Sequence, residues 1–339
     1  MRFGVVGVGH LGQHHARIYR GLAGIEFVGS YDTDPKKSNF STLTALADAV
    51  DAVSVATPTD SHLAVAKLFL ERGKHCLVEK PIANNVRDAE TLVALARQHN
   101  CILQVGHVER FNPVMRYLNE VLTEARFIEV HRLSPYPGRS TDIGVVLDLM
   151  IHDLDVVLSL VKAPLVSVDA VGINVLSVSE DIANARLKFA NGCVANITAS
   201  RVSPEKMRKI RIFGKSTHGA AYISLDYMKQ EGQLYRMTSD DATESGLLKK
   251  LLAGKDSTIV SEFGGKKILR EPVPIAPYEP LNLELQNFVE SVRHRRDPLV
   301  TGEAGKQALE VAMEITALCR QVMPASDVSN INTHKHDSV

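Results

Sequence analysis

At 339 residues the chain is longer than one hydrophobic core usually organises, so two domains are expected. Hydrophobic residues make up 45% and charged residues 23%, with a formal net charge of zero, which removes the electrostatic case for nucleic acid or an anionic membrane as partner. No apolar run approaches the roughly 20 residues of a membrane span.

The chain opens on a short apolar run, Phe3 to Val6, followed by Gly7-x-Gly9-x-x-Gly12 and a helix-compatible segment, Gln13 to Leu22. Strand, glycine turn and helix in that order suit a dinucleotide. Gly7 permits the tight turn, Gly9 lets the backbone approach a pyrophosphate, and Gly12 lets helix and strand pack closely. His10 and Leu11 lie inside the turn and are counted with it. The helix N-terminus then offers free N–H groups and positive dipole to the phosphates. A second strand, Glu26 to Tyr31, ends in Asp32, twenty residues after Gly12. A carboxylate there accepts hydrogen bonds from an adenosine ribose and repels a 2′-phosphate, so NAD is expected over NADP. Lys36 and Lys37 are the residues that could hold a 2′-phosphate instead, or simply be solvated.

Only about sixteen residues separate Asp34 from Asp51, and they include one helical pattern around Leu43 to Val50. That is too short for an extra strand with its own crossover, so the sheet is expected to be trimmed on the adenosine side. Ala52 to Ala56 is a strand ending in Thr57-Pro58-Thr59-Asp60-Ser61-His62, with a helix over Leu63 to Arg72 and Gly73 as its stop. Next come the strand His75 to Val78, the break Glu79-Lys80-Pro81, a helix from Val86 to His99 and the strand Ile102 to Val105. Alternating strands and helices imply a parallel, doubly wound sheet, which binds ligands outside the carboxyl ends of its strands. The polar clusters fall at those ends.

From Phe127 the pattern changes to strand-like runs: 127–133, 166–175, 182–189, 193–201, 208–214, 220–225 and 233–237. Hairpin signals such as Ala190-Asn-Gly192 join several of them, and one helix, Val145 to Leu160, interrupts the series. This predicts an α+β second domain with a mainly antiparallel sheet. The polar stretch Ser239 to Asp256 reads as a surface excursion, and helices over Leu281 to His294 and Gly302 to Val322 close the fold. The expected boundaries are 1–120 for the Rossmann domain and 121–322 for the α+β domain, with helices 281–322 packing back toward the first domain. A polar tail spans 323–339. The four cysteines (Cys76, Cys101, Cys193, Cys319) lack CxxC spacing and read as reduced thiols, Cys76 and Cys101 inside apolar strands. The first strand leaves no room for a signal peptide, and a cytoplasmic location is expected.

Two constellations carry chemistry. Lys80 follows a strand and would project from the sheet's carboxyl edge, where a partly desolvated lysine can orient a hydroxyl and tune a neighbouring acid or base; it can equally be a surface lysine before a turn proline. The proline can fix the turn, in cis or in trans. Asp148 and His152 are four residues apart on one helical face amid Val146, Leu147, Leu149, Met150, Ile151 and Leu154. His152 can take the proton of an alcohol with Asp148 orienting substrate or imidazole, or the two can be a satisfied core pair. Asp153 and Asp155 read as structural. No metal is expected: HxxxD without a cysteine or glutamate cluster is too thin for zinc, and the adjacent His14 and His15 face different ways. His107, Glu109, Arg110 and Asn112 rim the last parallel strand and are candidate substrate contacts or bridges between the domains.

Taken together, Gly7-Val-Gly-His-Leu-Gly12, Ala56-Thr-Pro-Thr-Asp-Ser-His62, Glu79-Lys-Pro81, Gly144-x-x-x-Asp148-x-x-x-His152 and Gly302-Glu-Ala-Gly resemble the Gfo/Idh/MocA oxidoreductases over residues 1–322. The resemblance implies a Rossmann domain followed by an open-faced antiparallel sheet whose exposed face makes a homodimer or homotetramer. It also implies Lys80, Asp148 and His152 as the catalytic trio, Thr57, Pro58 and His62 along the cofactor cleft, and Glu79 near the nicotinamide ribose. Residues 9–19, 108–113 and 146–155 are most similar to the branch that oxidises the 3-hydroxyl of UDP-N-acetylglucosamine, ahead of a transamination toward the 2,3-diamino sugars of lipid A. An NAD-dependent dehydrogenase of a nucleotide sugar is therefore expected. A dehydrogenase of a free polyol or monosaccharide, of the inositol type, and a non-catalytic dinucleotide-binding regulator are the alternatives.

Overall fold

The protein is described from a computed structural model, which covers residues 1–136, 143–217, 219–237, 258–263 and 266–322. It comprises two compact units: residues 1–111 with 278–313, and residues 112–277 with the chain from residue 314 onward. The stretch expected as a surface excursion, Ser239 to Asp256, and the polar tail, 323–339, lie outside the described residues. Among the described residues no helix is long and apolar enough to cross a membrane.

The first unit alternates strand and helix: β1 (Arg2–Val6), α1 (Gly12–Gly21), β2 (Glu26–Tyr31), α2 (Leu43–Ala49), β3 (Ala52–Val55), α3 (His62–Leu70), β4 (His75–Glu79), α4 (Val86–Gln98) and β5 (Leu103–Gly106). The five strands pair in parallel in the order β2-β1-β3-β4-β5. β3 and β4 are buried at every residue, polar Ser54, His75 and Glu79 included, which is why they show no alternation of apolar and polar faces. β2 is an edge, as the short 34–51 crossover requires: that stretch holds one 3-10 turn and α2, capped by Thr42 Oγ1 accepting from Ala45 N at 3.0 Å. α7 (Pro280–His294) belongs to the same unit. Its Phe288 meets Phe3 edge-on at 5.8 Å, and Leu285, Val289 and Val292 join Ile18 and Tyr19 in one core. Burying a side chain such as Phe288 is worth about 1.5–3 kcal/mol.

The second unit begins with α5 (Pro113–Val121), started by the Asn112 cap and Pro113 in the first turn. Nine strands follow: β6 (Leu122–Leu133), β7 (Leu165–Ile173), β8 (Ile182–Phe189), β9 (Val194–Ser200), β10 (Met207–Ser216), β11 (Gly219–Asp226), β12 (Glu231–Met237), β13 (Thr258–Phe263) and β14 (Lys266–Pro272). They form one sheet in the order β13-β14-β12-β11-β10-β6-β9-β8-β7, antiparallel except for the parallel pair β6–β9. β8 shows the logic of a sheet covered on one face: Ala183, Ala185, Leu187 and Phe189 are buried while Asn184, Arg186 and Lys188 are exposed. Residues 146–160 run first as a π-turn, Val146–Met150, and then as α6 (Ile151–Leu160), which contacts β6 and β9. Inside that packing Asp153 takes a two-pronged pair from Arg132, at 2.6 and 2.9 Å. The closing helix α8 (Gly302–Val322) gives its residues up to Met313 to the first unit and those from Glu314 to the second.

Three features differ from the sequence expectation. No element is expected from the sequence between Asn112 and Phe127, where α5 and the start of β6 lie, and β13 and β14 extend the sheet beyond β12. Cys101 precedes β5 instead of lying in it; all four cysteines are free.

Candidate cofactor and acid–base residues

The turn between β1 and α1 is built from its glycines. Gly7 has φ +84° and donates its N–H to Tyr31 O at 2.8 Å. A Cβ on Gly12 would lie 1.8 Å from Gly7 O, so only a bare Cα lets the helix start so close to the strand. A Cβ on Gly9 would meet nothing within 4 Å, which leaves backbone facing open space at the helix N-terminus. No side chain caps α1 and no acidic residue occupies its first turn. His10 and Leu11 are exposed, while His15 is fully buried, so His14 and His15 do diverge.

Asp32 completes this end of the unit. Its carboxylate accepts from Val8 N at 2.6 Å and from Asp34 N at 2.9 Å. Desolvation works to raise its pKa, but those amides and the charge of Lys37 outweigh it and hold the group below the ordinary carboxylate value. A cleft of about 310 Å³ opens beside it, lined by Tyr31, Thr33, Ser38, Asn39 and Phe40. Lys37 Nζ lies 4.0 Å from Asp34, and Lys36 uses its amide to cap on the same residue. Open backbone at Gly9, an uncapped helix N-terminus and an ionised Asp32 beside an adenosine-sized cleft fit NAD.

The turns after β3 and β4 are linked. His62 is 1% exposed; its Nε2 lies 2.9 Å from Thr57 O and its Nδ1 3.0 Å from Pro81 O. Burial lowers the pKa of this imidazole, against the opposing pull of the two carbonyls and of Glu79. Ser61 Oγ lies 2.7 Å from Thr57 Oγ1 and 2.8 Å from Pro58 O, fixing the same turn. Glu79 is buried, Lys80 half-buried, and the Lys80–Pro81 peptide is cis. Glu79 Oε2 accepts weakly from Lys80 N at 3.3 Å. Glu79 Oε1 lies 3.0 Å from His15 Nε2, a close approach outside hydrogen-bond angles. Gly106 makes room for it: a Cβ there would sit 2.7 Å from the Glu79 carboxyl carbon.

In the second unit, Asp148 falls within the π-turn and His152 is the second residue of α6; both are half-buried. Local widening of this kind recurs at functional helices. The segment entering the turn is fastened from elsewhere in the unit. Val145 N donates to Glu180 O at 2.9 Å, and a Cβ on Gly144 would lie 1.8 Å from Glu180 Oε1. The fully buried Arg201 donates to Asp181 Oδ1 at 2.8 Å and to Ile143 O at 2.6 Å. Burial pushes Asp181 up, but the amides of Leu176 and Val175 and the Arg201 guanidinium overcome it and bring it to about 2. Sequence reading passed over Glu180, Asp181 and Arg201; the one available signal was charge set inside apolar strand ends, which demands a partner.

The residues after β5 have other contacts. His107 and Glu109 are buried, and Arg110 donates to Leu299 O at 3.3 Å. Asn112 donates to Tyr227 O at 3.1 Å while its carbonyl oxygen accepts from Val114 N at 3.3 Å, tying α5 to the sheet. Among the described residues no three His, Cys, Asp or Glu side chains converge as metal ligands.

Comparison with known proteins agrees with this construction. Residues 1–107 match the model of the Gfo/Idh/MocA oxidoreductase family, NAD-binding Rossmann fold, and residues 121–218 match that of the family's C-terminal domain. UDP-N-acetylglucosamine 3-dehydrogenase of Acidithiobacillus ferrooxidans is 33% identical over 326 residues, 93% of this chain and 96% of that protein. Its crystal structure superposes with a TM-score of 0.83, covering 95% of this chain and 98% of the other. The NAD-dependent scyllo-inositol 2-dehydrogenase of Bacillus subtilis is 25% identical, across 96% of this chain and 95% of its own. The chain belongs to the Gfo/Idh/MocA family of NAD-binding oxidoreductases.

Proposed function

We propose that the protein oxidises the 3-hydroxyl of UDP-N-acetylglucosamine to a ketone, with Lys80, Asp148 and His152 as its catalytic residues. The observation that carries this reading is the 33% identity, over 93% of the chain, with a UDP-N-acetylglucosamine 3-dehydrogenase. NAD, when bound, accepts the hydride that leaves the carbinol carbon. His152 takes the hydroxyl proton, so that the C–H and O–H bonds break as the C=O bond forms. Lys80 donates a hydrogen bond to the reacting oxygen, and Asp148 orients the imidazole or the sugar. Gly7, Gly9, His10, Leu11 and Gly12 hold the pyrophosphate, Asp32 the adenosine ribose, and Thr57, Pro58, His62 and Glu79 the nicotinamide end. Glu109, Arg110 and Asn112 are proposed sugar-side contacts.

A ketone of this kind is a substrate for transamination toward the 2,3-diamino sugars of lipid A, in the cytoplasm. Self-association is part of the same reading. Across the second unit's sheet Phe127 tilts against Phe213 at 5.9 Å, Phe213 stacks on Tyr222 at 4.5 Å and Tyr222 on Tyr235 at 5.0 Å, and Phe213, Met237 and Val260 are 40, 48 and 46% exposed. An apolar face of this kind supports a homodimer or homotetramer. The similarity to scyllo-inositol 2-dehydrogenase favours a free polyol as second reading.

The test is the absorbance of reduced nicotinamide on mixing protein, NAD and UDP-N-acetylglucosamine. A rise needing both additions is expected, with kcat lower by roughly 10²-fold or more in Lys80→Ala and His152→Ala. Turnover of inositol but not of the nucleotide sugar would transfer the assignment to the polyol. Normal turnover in Lys80→Ala would remove Lys80 from the chemistry.

A further inference from the structure

We propose that His62 and His15 are positioning residues that fix the backbone of Lys80 from two sides. This rests on the reading of Lys80 as catalytic. Glu79, Lys80 and Pro81 are consecutive, and the residues flanking the lysine each meet a buried imidazole from a different helix. From the start of α3, His62 reaches Pro81 O at 3.0 Å with Nδ1 and Thr57 O at 2.9 Å with Nε2. From α1, His15 brings Nε2 to 3.0 Å from Glu79 Oε1. The rings are 1% and 0% exposed, so neither has water as an alternative partner.

The two contacts have different work to do. Thr57 follows β3 and Pro81 follows β4, and these strands are neighbours in the sheet. One rigid ring spanning both carbonyls therefore joins two turns that the sheet's own hydrogen bonds have already released. A neutral imidazole carries one N–H, so it serves one carbonyl at a time; burial disfavours the second proton that would serve both. The His15 contact acts on the other flank, against the carboxylate that in turn accepts from Lys80 N at 3.3 Å. The missing side chain of Gly106 makes the space that carboxylate fills, since a Cβ there would lie 2.7 Å from it, so Glu79 packs against β5 while it faces α1. A lysine fixed through its own backbone on both sides delivers its ammonium with little freedom. Misplacement of about 1 Å at a reacting group can cost on the order of 10²-fold in rate.

The test uses the full-length protein and four variants: His62→Phe and His15→Phe, which keep bulk but remove the ring nitrogens, and His62→Gln and His15→Gln, which put a polar amide where the ring nitrogens were. Three quantities are read: kcat and KM; the rate at which an amine-reactive ester labels Lys80, followed by mass spectrometry; and kcat of each variant combined with Lys80→Ala. The expected result is a fall of about 10-fold in kcat for each Phe variant with little change in KM. Partial recovery in the Gln variants, a several-fold change in Lys80 labelling, and almost no further loss in the Lys80→Ala background are expected with it. Where a Phe variant does not fold, the Gln variant of the same residue is read alone, by labelling rate and by the double variant. Losses that multiply in full with Lys80→Ala, or an unchanged labelling rate, would overturn the proposal. Normal kcat in Lys80→Ala alone would overturn the catalytic reading of the lysine, and the labelling rate would still decide whether the imidazoles set its geometry.

Discussion

Adding one methyl group at Gly12 and at Gly9 should harm different things. At Gly12 the new Cβ would lie 1.8 Å from Gly7 O and 2.9 Å from Gly7 C, both backbone atoms that cannot rotate away. Strand and helix must separate, at an overpacking cost of about 1–3 kcal/mol. The gain in helix propensity from Gly to Ala is at most about 1 kcal/mol, so the clash wins. At Gly9 nothing lies within 4 Å of the new methyl, so Gly9→Ala should leave stability unchanged. That same open space is where the pyrophosphate must approach. A methyl there should sacrifice at least one charge-assisted hydrogen bond, worth about 1.5–3 kcal/mol, or roughly 10- to 100-fold in Kd. Thermal unfolding without cofactor and calorimetric titration with NAD read the two effects separately. Gly12→Ala should lower Tm by about 2–4 °C for each kcal/mol lost. Unchanged NAD affinity in Gly9→Ala, or an unchanged Tm in Gly12→Ala, would refute the geometry of the turn.

Replacing Asp32 by Ser removes the charge beside the adenosine-sized cleft, and the ratio of NADP to NAD affinity should rise by about 10-fold or more; equal loss of both cofactors in titrations would mean Asp32 only shapes the loop. Asp153→Ala takes from Arg132, which is 3% exposed, its two-pronged partner and should cost about 3–5 kcal/mol in chemical denaturation, much of it recovered in the apolar double variant Asp153→Leu with Arg132→Met. A loss no greater than that of an exposed pair would contradict the buried geometry. His75 accepts from Ile102 N at 2.7 Å and must be neutral at that nitrogen; burial first and Arg295 second bring its pKa from 6.5 to about 4. A lowered histidine pKa means its contribution is complete above about pH 6.5 and lost as pH falls toward 4, so Tm should decline across that window and decline less in His75→Gln.

The first unit was legible because its information is local. The cores of the buried parallel strands are short apolar runs such as Cys76 to Val78, and Thr57 to His62 and Glu79 to Pro81 stand out by polarity at strand ends. The trimmed edge at β2 followed from counting residues between Asp34 and Asp51. What escaped reading depends on distant or subtle partners. Nothing in residues 146–150 distinguishes a π-turn from an α-turn, since the same apolar pattern satisfies both. β13 and β14 carry Glu262, Lys266, Lys267, Arg270 and Glu271, whose charge dilutes the alternation that marked β8. Asn112-Pro113 is a good helix start, a side-chain cap followed by proline in the first turn. His15 and His62 could be placed near the cofactor turn, but their burial depends on α1 and α3 packing, which no spacing rule reveals. The Arg201–Asp181 pair is twenty residues apart in sequence and joins β9 to the loop before β8.

The parallel seam between β6 and β9 has a consequence for how this fold can vary. A parallel pair cannot be closed by a tight turn, so the chain between β6 and β7 must travel, and it is that journey which carries α6. To one side of the seam β7 to β9 form a three-strand meander; to the other, β10 to β14 extend outward by successive antiparallel neighbours. Each outer strand depends only on the one inside it, so hairpins can be gained or shed at the β13 margin without re-registering the seam. Asp148 and His152 stand on the segment that this journey requires, so their backbone support comes from β6 and β9 at the seam and not from the outer strands.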